Sequence, residues 1–238
     1  MTNSISDFFN KFSKSYDESI FNYSLGTKYL SDIETDFVLT NCPIKGGENV
    51  LDIGIGTGRF SYLLSKKGAV IYGIDISEEM IKKAKEKLKG KKVNYLLHDV
   101  SKGLTFLDNI FDYVICIRVL KYLYEWKNVI EEITRILKYG GILFLEISNL
   151  YSLAYFGSKG TKFFCFRPNE IKKELENNKF EIIKIGAGSR FPFPFYKRIN
   201  NKYILLFPKV IESFLDRIFP PEFLSRNMIL ICRKRKYL

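Results

Sequence analysis

Between residues 50 and 75 the chain reads VLDIGIGTGRFSYLLSKKGAVIYGID, and no other stretch limits the fold as much. Val50 to Ile53 is apolar apart from Asp52, as a strand covered on both faces must be. Gly54, Gly56 and Gly58 then interrupt it at every second position. Phe60, Leu63 and Leu64 return at helical spacing, and Ala69 to Ile74 predicts a second strand ending in Asp75. Strand, glycine turn, helix, strand and terminal acid form the first half of a nucleotide-binding α/β sheet. The glycines let the backbone turn tightly and let a ligand lie against it. A carboxylate at the tip of the second strand can accept both hydroxyls of a ribose.

The residues around the glycines discriminate between nucleotides. A dinucleotide loop asks for a small residue six positions on from the first glycine. Here that position is Arg59, and the third glycine, Gly58, comes one residue early. Asp52 would also face a pyrophosphate with like charge, whereas an amino group would gain from it. An NAD-type ligand is thereby disfavoured. A ribose joined to an amino acid, as in S-adenosylmethionine, suits the arrangement.

With these residues in place, the chain resembles the class I S-adenosylmethionine-dependent methyltransferases, most of all their type 11, small-molecule branch. The resemblance runs over about residues 35–185 in the family's order. DISEEMIKKAKEK at 75–87 resembles the ribose acid and second helix, with Ser77 as N-cap. YLLHDV at 95–100 resembles a third strand ending in the adenine-side acid, FDYVICIRVL at 111–120 the fourth strand and its exit loop, and LKYGGILFLEISN at 137–149 a helix end, Gly-Gly turn and fifth strand. The implied fold is α/β, a Rossmann-like seven-stranded sheet with helices on both faces and the last strand antiparallel. The expected strands are 50–53, 69–74, 93–97, 111–117, 142–147, 180–186 and one near 227–233, after helices over 4–22 and 25–40. The expected organisation is an N-terminal helical cap over 1–45, the cofactor-binding core over 46–186, an acceptor-side lid insertion over 187–226, and the last strand with a basic tail over 227–238.

The resemblance also implies roles. Gly54, Gly56 and Gly58 would line the methionine and ribose parts of S-adenosylmethionine, with Asp52 near its amino group and Asp75 on its ribose. Ile76 and Met80 would flank the adenine faces, Asp99 would accept from the adenine amine, and the Val100 N–H would reach a ring nitrogen. Arg118 lies where the chain passes the methionine end. Tyr16, with Asp17, matches an aromatic–Asp pair that closes over the cofactor in relatives. The loop after the fourth strand often carries a histidine base in relatives; here it reads Arg118-Val119-Leu120-Lys121-Tyr122, so Lys121 and Tyr122 are the candidates for proton chemistry. Asn149 and Tyr151, after the fifth strand, are candidates to face the acceptor, because segments like SNLYSLAY recur in relatives acting on sugars, lipids or quinones.

Composition narrows the classes. The 238 residues are 46% hydrophobic and 27% charged, enough for a full core. No apolar run approaches the roughly 20 residues of a membrane span. With neither span nor signal peptide in view, a cytoplasmic enzyme is expected. The single histidine, His98, reads as a loop residue beside Asp99. The four cysteines are scattered, so no metal site is expected.

The net charge is +12, and residues 187–238 carry 11 Lys/Arg against 3 Asp/Glu. Within them, Val210, Ile211, Phe214, Leu215, Ile218 and Phe219 form an apolar stripe at helical spacing. The simpler expectation is that the stripe packs on the domain; the alternative is contact with an anionic membrane surface. The expected function is methyl transfer to a small-molecule or lipid-like acceptor, at oxygen. An RNA methyltransferase and a non-catalytic cofactor-binding scaffold are the alternatives. Nucleic acid ranks lower because the loop after the fourth strand lacks the Pro-Pro-Tyr type of signature.

Overall fold

A computed structural model describes residues 2–152 and 163–236. Seven strands form one sheet: β1 (Asn49–Ile53), β2 (Val70–Asp75), β3 (Val93–Leu97), β4 (Phe111–Cys116), β5 (Leu137–Ser148), β6 (Phe180–Ala187) and β7 (Asn227–Lys234). Their order is β3-β2-β1-β4-β5-β7-β6. β1 pairs in parallel with β2 and β4, while β7 lies antiparallel between β5 and β6. The chain therefore winds outward in both directions from the β1/β4 pair. At that switch point the loops diverge and leave a crevice beyond the carboxyl ends of the strands.

Each inner strand is apolar on both faces because helices cover both. One face packs Val129, Ile130, Ile133 and Ile136 of α6 (Trp126–Ile136) and Ile171 and Leu175 of α7 (Pro168–Asn177) against Leu51, Ile53, Val114 and Leu143. The other packs Val38 of α3 (Leu25–Thr40) and Phe60 and Leu64 of α4 (Arg59–Lys66) against Val50, Ile71, Ile115 and Phe144. Ala84 and Leu88, at the end of α5 (Glu78–Lys87), meet Ile55 beside β2.

Expected strands and observed strands agree within a residue or two, save at β5. The Gly-Gly turn is instead part of that strand. It starts at Leu137, and its pairing with β4 shifts across Gly140-Gly141, where Gly140 takes φ +80°. The helix expected over 4–22 also divides. α1 (Thr2–Phe12) is followed by a tight turn at Ser13–Ser15 and a short α2 (Tyr16–Ile20). The break folds α1 back over α5, where Asn10 Oδ1 accepts from Ser77 Oγ at 2.7 Å and Ser6 Oγ donates to Ile76 O at 3.0 Å.

Between β6 and β7 lie α8 (Phe193–Lys197) and α9 (Lys202–Ile218). They are tied to α3 rather than to the sheet: Ser24 Oγ donates to Tyr196 O at 2.8 Å and Gly26 N–H to Ile199 O at 3.0 Å.

Candidate active site

A cavity of about 540 Å³ occupies the switch-point crevice. The glycine turn forms its floor, with Gly54 and Gly56 in the left-handed region at φ +70° and +54°. A β-carbon at Gly54 would overlap the Val119 side chain, so both conformation and space require glycine there. Gly56 N–H donates to Asp75 Oδ2 at 2.8 Å, and Ser77 N–H to Asp75 Oδ1 at 2.9 Å. These bonds aim the carboxylate at the cavity and leave lone pairs on both oxygens. Burial raises the Asp75 pKa, opposed by the Ser77 and Gly56 amides.

Ile76, Met80, His98, Asp99, Val100 and Ser101 build one end of the cavity. Asp99 Oδ1 accepts from Ser101 N–H and Oγ at 3.1 and 2.7 Å, whereas its buried Oδ2 has no hydrogen-bond partner among the described residues. A buried carboxylate oxygen left open on a cavity wall calls for a donor from whatever fills the cavity. An amine edge, as of adenine, supplies one. Glycine cradle, ribose-side acid and open adenine-side oxygen together fit S-adenosylmethionine. His98 borders the cavity, but its Nε2 is engaged with Gly103 O at 2.7 Å.

Asp52 sits behind this floor, in a small recess shared with Tyr16, Thr57 and Arg59. Ser61 Oγ donates to its Oδ2 at 2.6 Å. Burial pushes the carboxyl up to about 7, with the Ser61 hydrogen bond opposing and the Asp75 charge adding. Tyr16 walls both spaces, its ring edge-on to Phe9, Phe12 and Phe21. Asp17 turns outward instead, accepting from Thr57 Oγ1 at 2.6 Å and pairing with Lys87 at 2.8 Å. The aromatic–Asp pair is thus divided: the ring faces the cavity and the acid fastens α2 to the glycine loop.

Arg118 is the junction of the site. It follows β4 in the left-handed region at φ +65°, an uncommon conformation for a residue with a side chain. It lines the main cavity, the recess and a second cavity of about 410 Å³ between α3 and α9. Its guanidinium grips Glu34 of α3 at 3.1–3.3 Å and rests on the Phe21 ring, 5.0 Å from the centroid. Arg59 pairs with the same Glu34 and also reaches Ser31 and Thr35. Burial alone would raise the Glu34 pKa, but the Arg118 and Arg59 guanidiniums hold it well below the usual carboxylate range. Glu146 of β5 lies 4.0 Å from Arg118 and accepts from Asn227 at 2.8 Å. The sequence reading missed Glu34 and Glu146. The available signal for Glu34 was an acid on the apolar face of α3, one turn from Leu30.

Several candidates lie elsewhere than expected. Gly58 lines neither cavity; its missing β-carbon makes room for Leu88 and Ala84 on α5. Tyr122 is on the main cavity wall, edge-on to Phe9 at 5.4 Å. Lys121 lines neither cavity. Its ammonium lies 5.4 Å from the Tyr122 ring centroid and 5.7 Å from that of Phe163, and burial pulls its pKa down to about 8. Asn149 is fully buried. Its amide donates to Glu222 O and Ser225 O at 2.8 and 2.9 Å and its Oδ1 accepts from Tyr151 N–H at 3.1 Å, so every polar atom holds backbone and none faces an acceptor. Tyr151 lines neither cavity and is half exposed, and the end of the SNLYSLAY segment lies outside the described residues. Among the described residues no cluster could hold a metal, and no helix is long and apolar enough to cross a membrane.

Residues 51–145 match the family model described as a methyltransferase domain. The chain is 33% identical over 181 residues to the ubiquinone biosynthesis O-methyltransferase of Coxiella burnetii (strain Dugway 5J108-111), covering 68% of this chain and 77% of that one. It is 35% identical over 124 residues to YqeM of Bacillus subtilis (strain 168), whose name describes a methyltransferase; the match spans about half the length of each, 50% and 49%. The magnesium protoporphyrin IX methyltransferase of Synechocystis PCC 6803, solved with bound S-adenosylhomocysteine, shares the fold with a TM-score of 0.69 at 20% identity, over 99% of this chain and 100% of that one.

Proposed function

The chain belongs to the class I S-adenosylmethionine-dependent methyltransferases, with S-adenosylmethionine as cofactor, and on that premise we propose that it methylates an oxygen of a small-molecule or lipid-like acceptor. The observation that carries this reading is the meeting of two cavities at Arg118: one built for a nucleoside, the other lined by Tyr29, Leu30, Ile33 and Phe37 as well as by charged groups. The second space has the mixed lining of a small-molecule site. The assignment to oxygen rests on the name of the Coxiella relative.

In this reading Asp75 holds the ribose hydroxyls, Asp99 Oδ2 and Val100 N–H hold the adenine edge, and Ile76 and Met80 pack on its faces. Gly54 and Gly56 present backbone to the methionine half, whose amino group lies toward Asp52. Tyr16 and Arg118 close that end, while Gly58 acts through packing alone. Residues 187–226 form the acceptor-side lid over the second cavity. S-adenosylmethionine supplies a methyl group on a positively charged sulfur, an excellent leaving group. What remains for the chain is to align the acceptor oxygen and exclude water. The aromatic wall of Phe9, Tyr16 and Tyr122 does the second. Lys121, behind Tyr122, positions that ring.

The test is calorimetry with S-adenosylhomocysteine, with NADH as control, on the wild type and Asp75→Ala. Losing two charge-assisted hydrogen bonds should weaken binding by roughly a hundredfold or more. Unchanged affinity removes the ribose assignment, and a preference for NADH removes the methyltransferase reading. Ser213→Trp, on the exposed side of the second cavity, should leave that affinity alone and block turnover; full turnover would place the acceptor elsewhere.

A further inference from the structure

Helix α9 divides sharply by exposure. Leu205, Pro208 and Glu212 are buried toward the domain. Tyr203, Leu206, Phe207, Val210, Phe214 and Ile218 are between 55% and 74% exposed. At about 100° per residue these six fall within an arc of roughly 120° on the side opposite the buried positions. Single exposed apolar side chains need no explanation, but an arc of six on one helix, interrupted only by Arg217, does. The expectation that the 210–219 stripe packs on the domain therefore holds only in part. Ile211 and Leu215 are partly buried, while Val210, Phe214 and Ile218 face away.

Charge identifies what covers the arc. Residues 187–226 contain three carboxylates, and all are engaged within the protein. Glu212 accepts from Arg190 N–H at 2.9 Å, Asp216 pairs with the Arg190 guanidinium, and Glu222 with Lys172. Exposed cations have no such carboxylate partner among the described residues: Lys202 and Lys209 flank one side of the arc, Arg217 lies within it, and Arg198 comes just before the helix, with Lys209 and Arg217 also bordering the second cavity. A second copy of the chain would bring the same cationic edge against itself. An anionic bilayer complements both parts, apolar centre and basic rim.

We propose that α9 lies in the surface of an anionic lipid bilayer, its Tyr203–Ile218 face at the headgroup–acyl boundary and its rim cations on lipid phosphates. The helix, 17 residues and about 25 Å long, is the right size to lie in that plane, and Tyr203 has the amphipathic ring that favours it. The adjoining side of α9, with Lys209, Glu212, Ser213 and Asp216, walls the second cavity. A lipid-like acceptor would then meet the enzyme at its own entrance; this link rests on the acceptor reading, whereas the docking does not.

The experiment is co-sedimentation of the full chain with vesicles of phosphatidylcholine alone or mixed with phosphatidylglycerol. The wild type should bind the anionic vesicles, and raised salt should weaken the binding. Phe207→Ser combined with Phe214→Ser should cut partitioning by at least about tenfold. Both residues are exposed, so far-ultraviolet circular dichroism should be unchanged. Equal binding to both vesicle types, or a double variant that partitions like the wild type, overturns the proposal. A dimer in sedimentation velocity that the double variant dissolves, without vesicle binding by the wild type, assigns the face to a second copy and overturns it as well.

Discussion

Replacing Asp52 by Asn should change how stability depends on pH. The wild-type carboxyl has its pKa raised from 3.8 to about 7, mainly by burial. The folded state therefore holds a proton that the unfolded state releases near pH 4. The stability contributed by neutral Asp52 is complete below about pH 4 and is lost as pH rises to about 7. A shift of about three units at 1.36 kcal/mol each amounts to about 4 kcal/mol, of which roughly 3 kcal/mol falls between pH 5 and pH 8.5. The residue is only 4% exposed, so solvent screening takes little from this figure. Asn keeps the acceptor for Ser61 Oγ but has no proton to lose. Urea unfolding of both proteins at the two pH values supplies the comparison, since the other titrating groups are common to both. Relative to the wild type, the variant should gain about 3 kcal/mol on going from pH 5 to 8.5. Parallel pH profiles would refute the reasoning, because they would mean Asp52 is already ionised in the fold at neutral pH.

Two further outcomes follow from the same region. Glu34→Ala strands the Arg118 and Arg59 guanidiniums in a buried site, so stability should fall by about 3–5 kcal/mol, a drop of roughly ten degrees in a thermal melt. A change within two or three degrees would mean that water already satisfies both arginines. Lys121→Met should lower turnover a few-fold without moving the pH–rate profile, as fits a residue that steadies the Tyr122 ring. Disappearance of an ionisation near pH 8 from that profile would instead make Lys121 the proton acceptor.

The site joins two kinds of order. On the nucleoside side most contacts are backbone hydrogen bonds across short sequence distances, such as Gly56 and Ser77 on Asp75. Around the second cavity, side chains from α3, α9 and β7 converge with Arg118, which follows β4, and the pair Arg118–Glu34 links them. The α8 segment is fastened to the start of α3 through Ser24 and Gly26. The second cavity lies between α3 and α9.

The nucleoside half was legible in the sequence because its determinants are local. Strands apolar on both faces announce a covered parallel sheet, alternate glycines announce the turn, and Ser77 caps α5 by accepting from Met80 N–H at 3.2 Å. Asp75 and Asp99 follow as strand-end acids, and the count of seven strands with the last antiparallel came from the family resemblance, whereas their order in the sheet did not. What tertiary structure alone decided depends on residues far apart in the chain. Glu34 and Arg118 are 84 positions apart, and nothing in either segment names the other. Asn149 looks like an acceptor-facing amide until Glu222 and Ser225 arrive from the return to β7 and occupy it. Gly58 looks like a ligand glycine until Leu88 is seen against it. For α9, periodicity marks a helix with apolar residues on most of its circumference. Which half is buried is set by where the domain lies, and hydrophobicity alone carries no information about that direction.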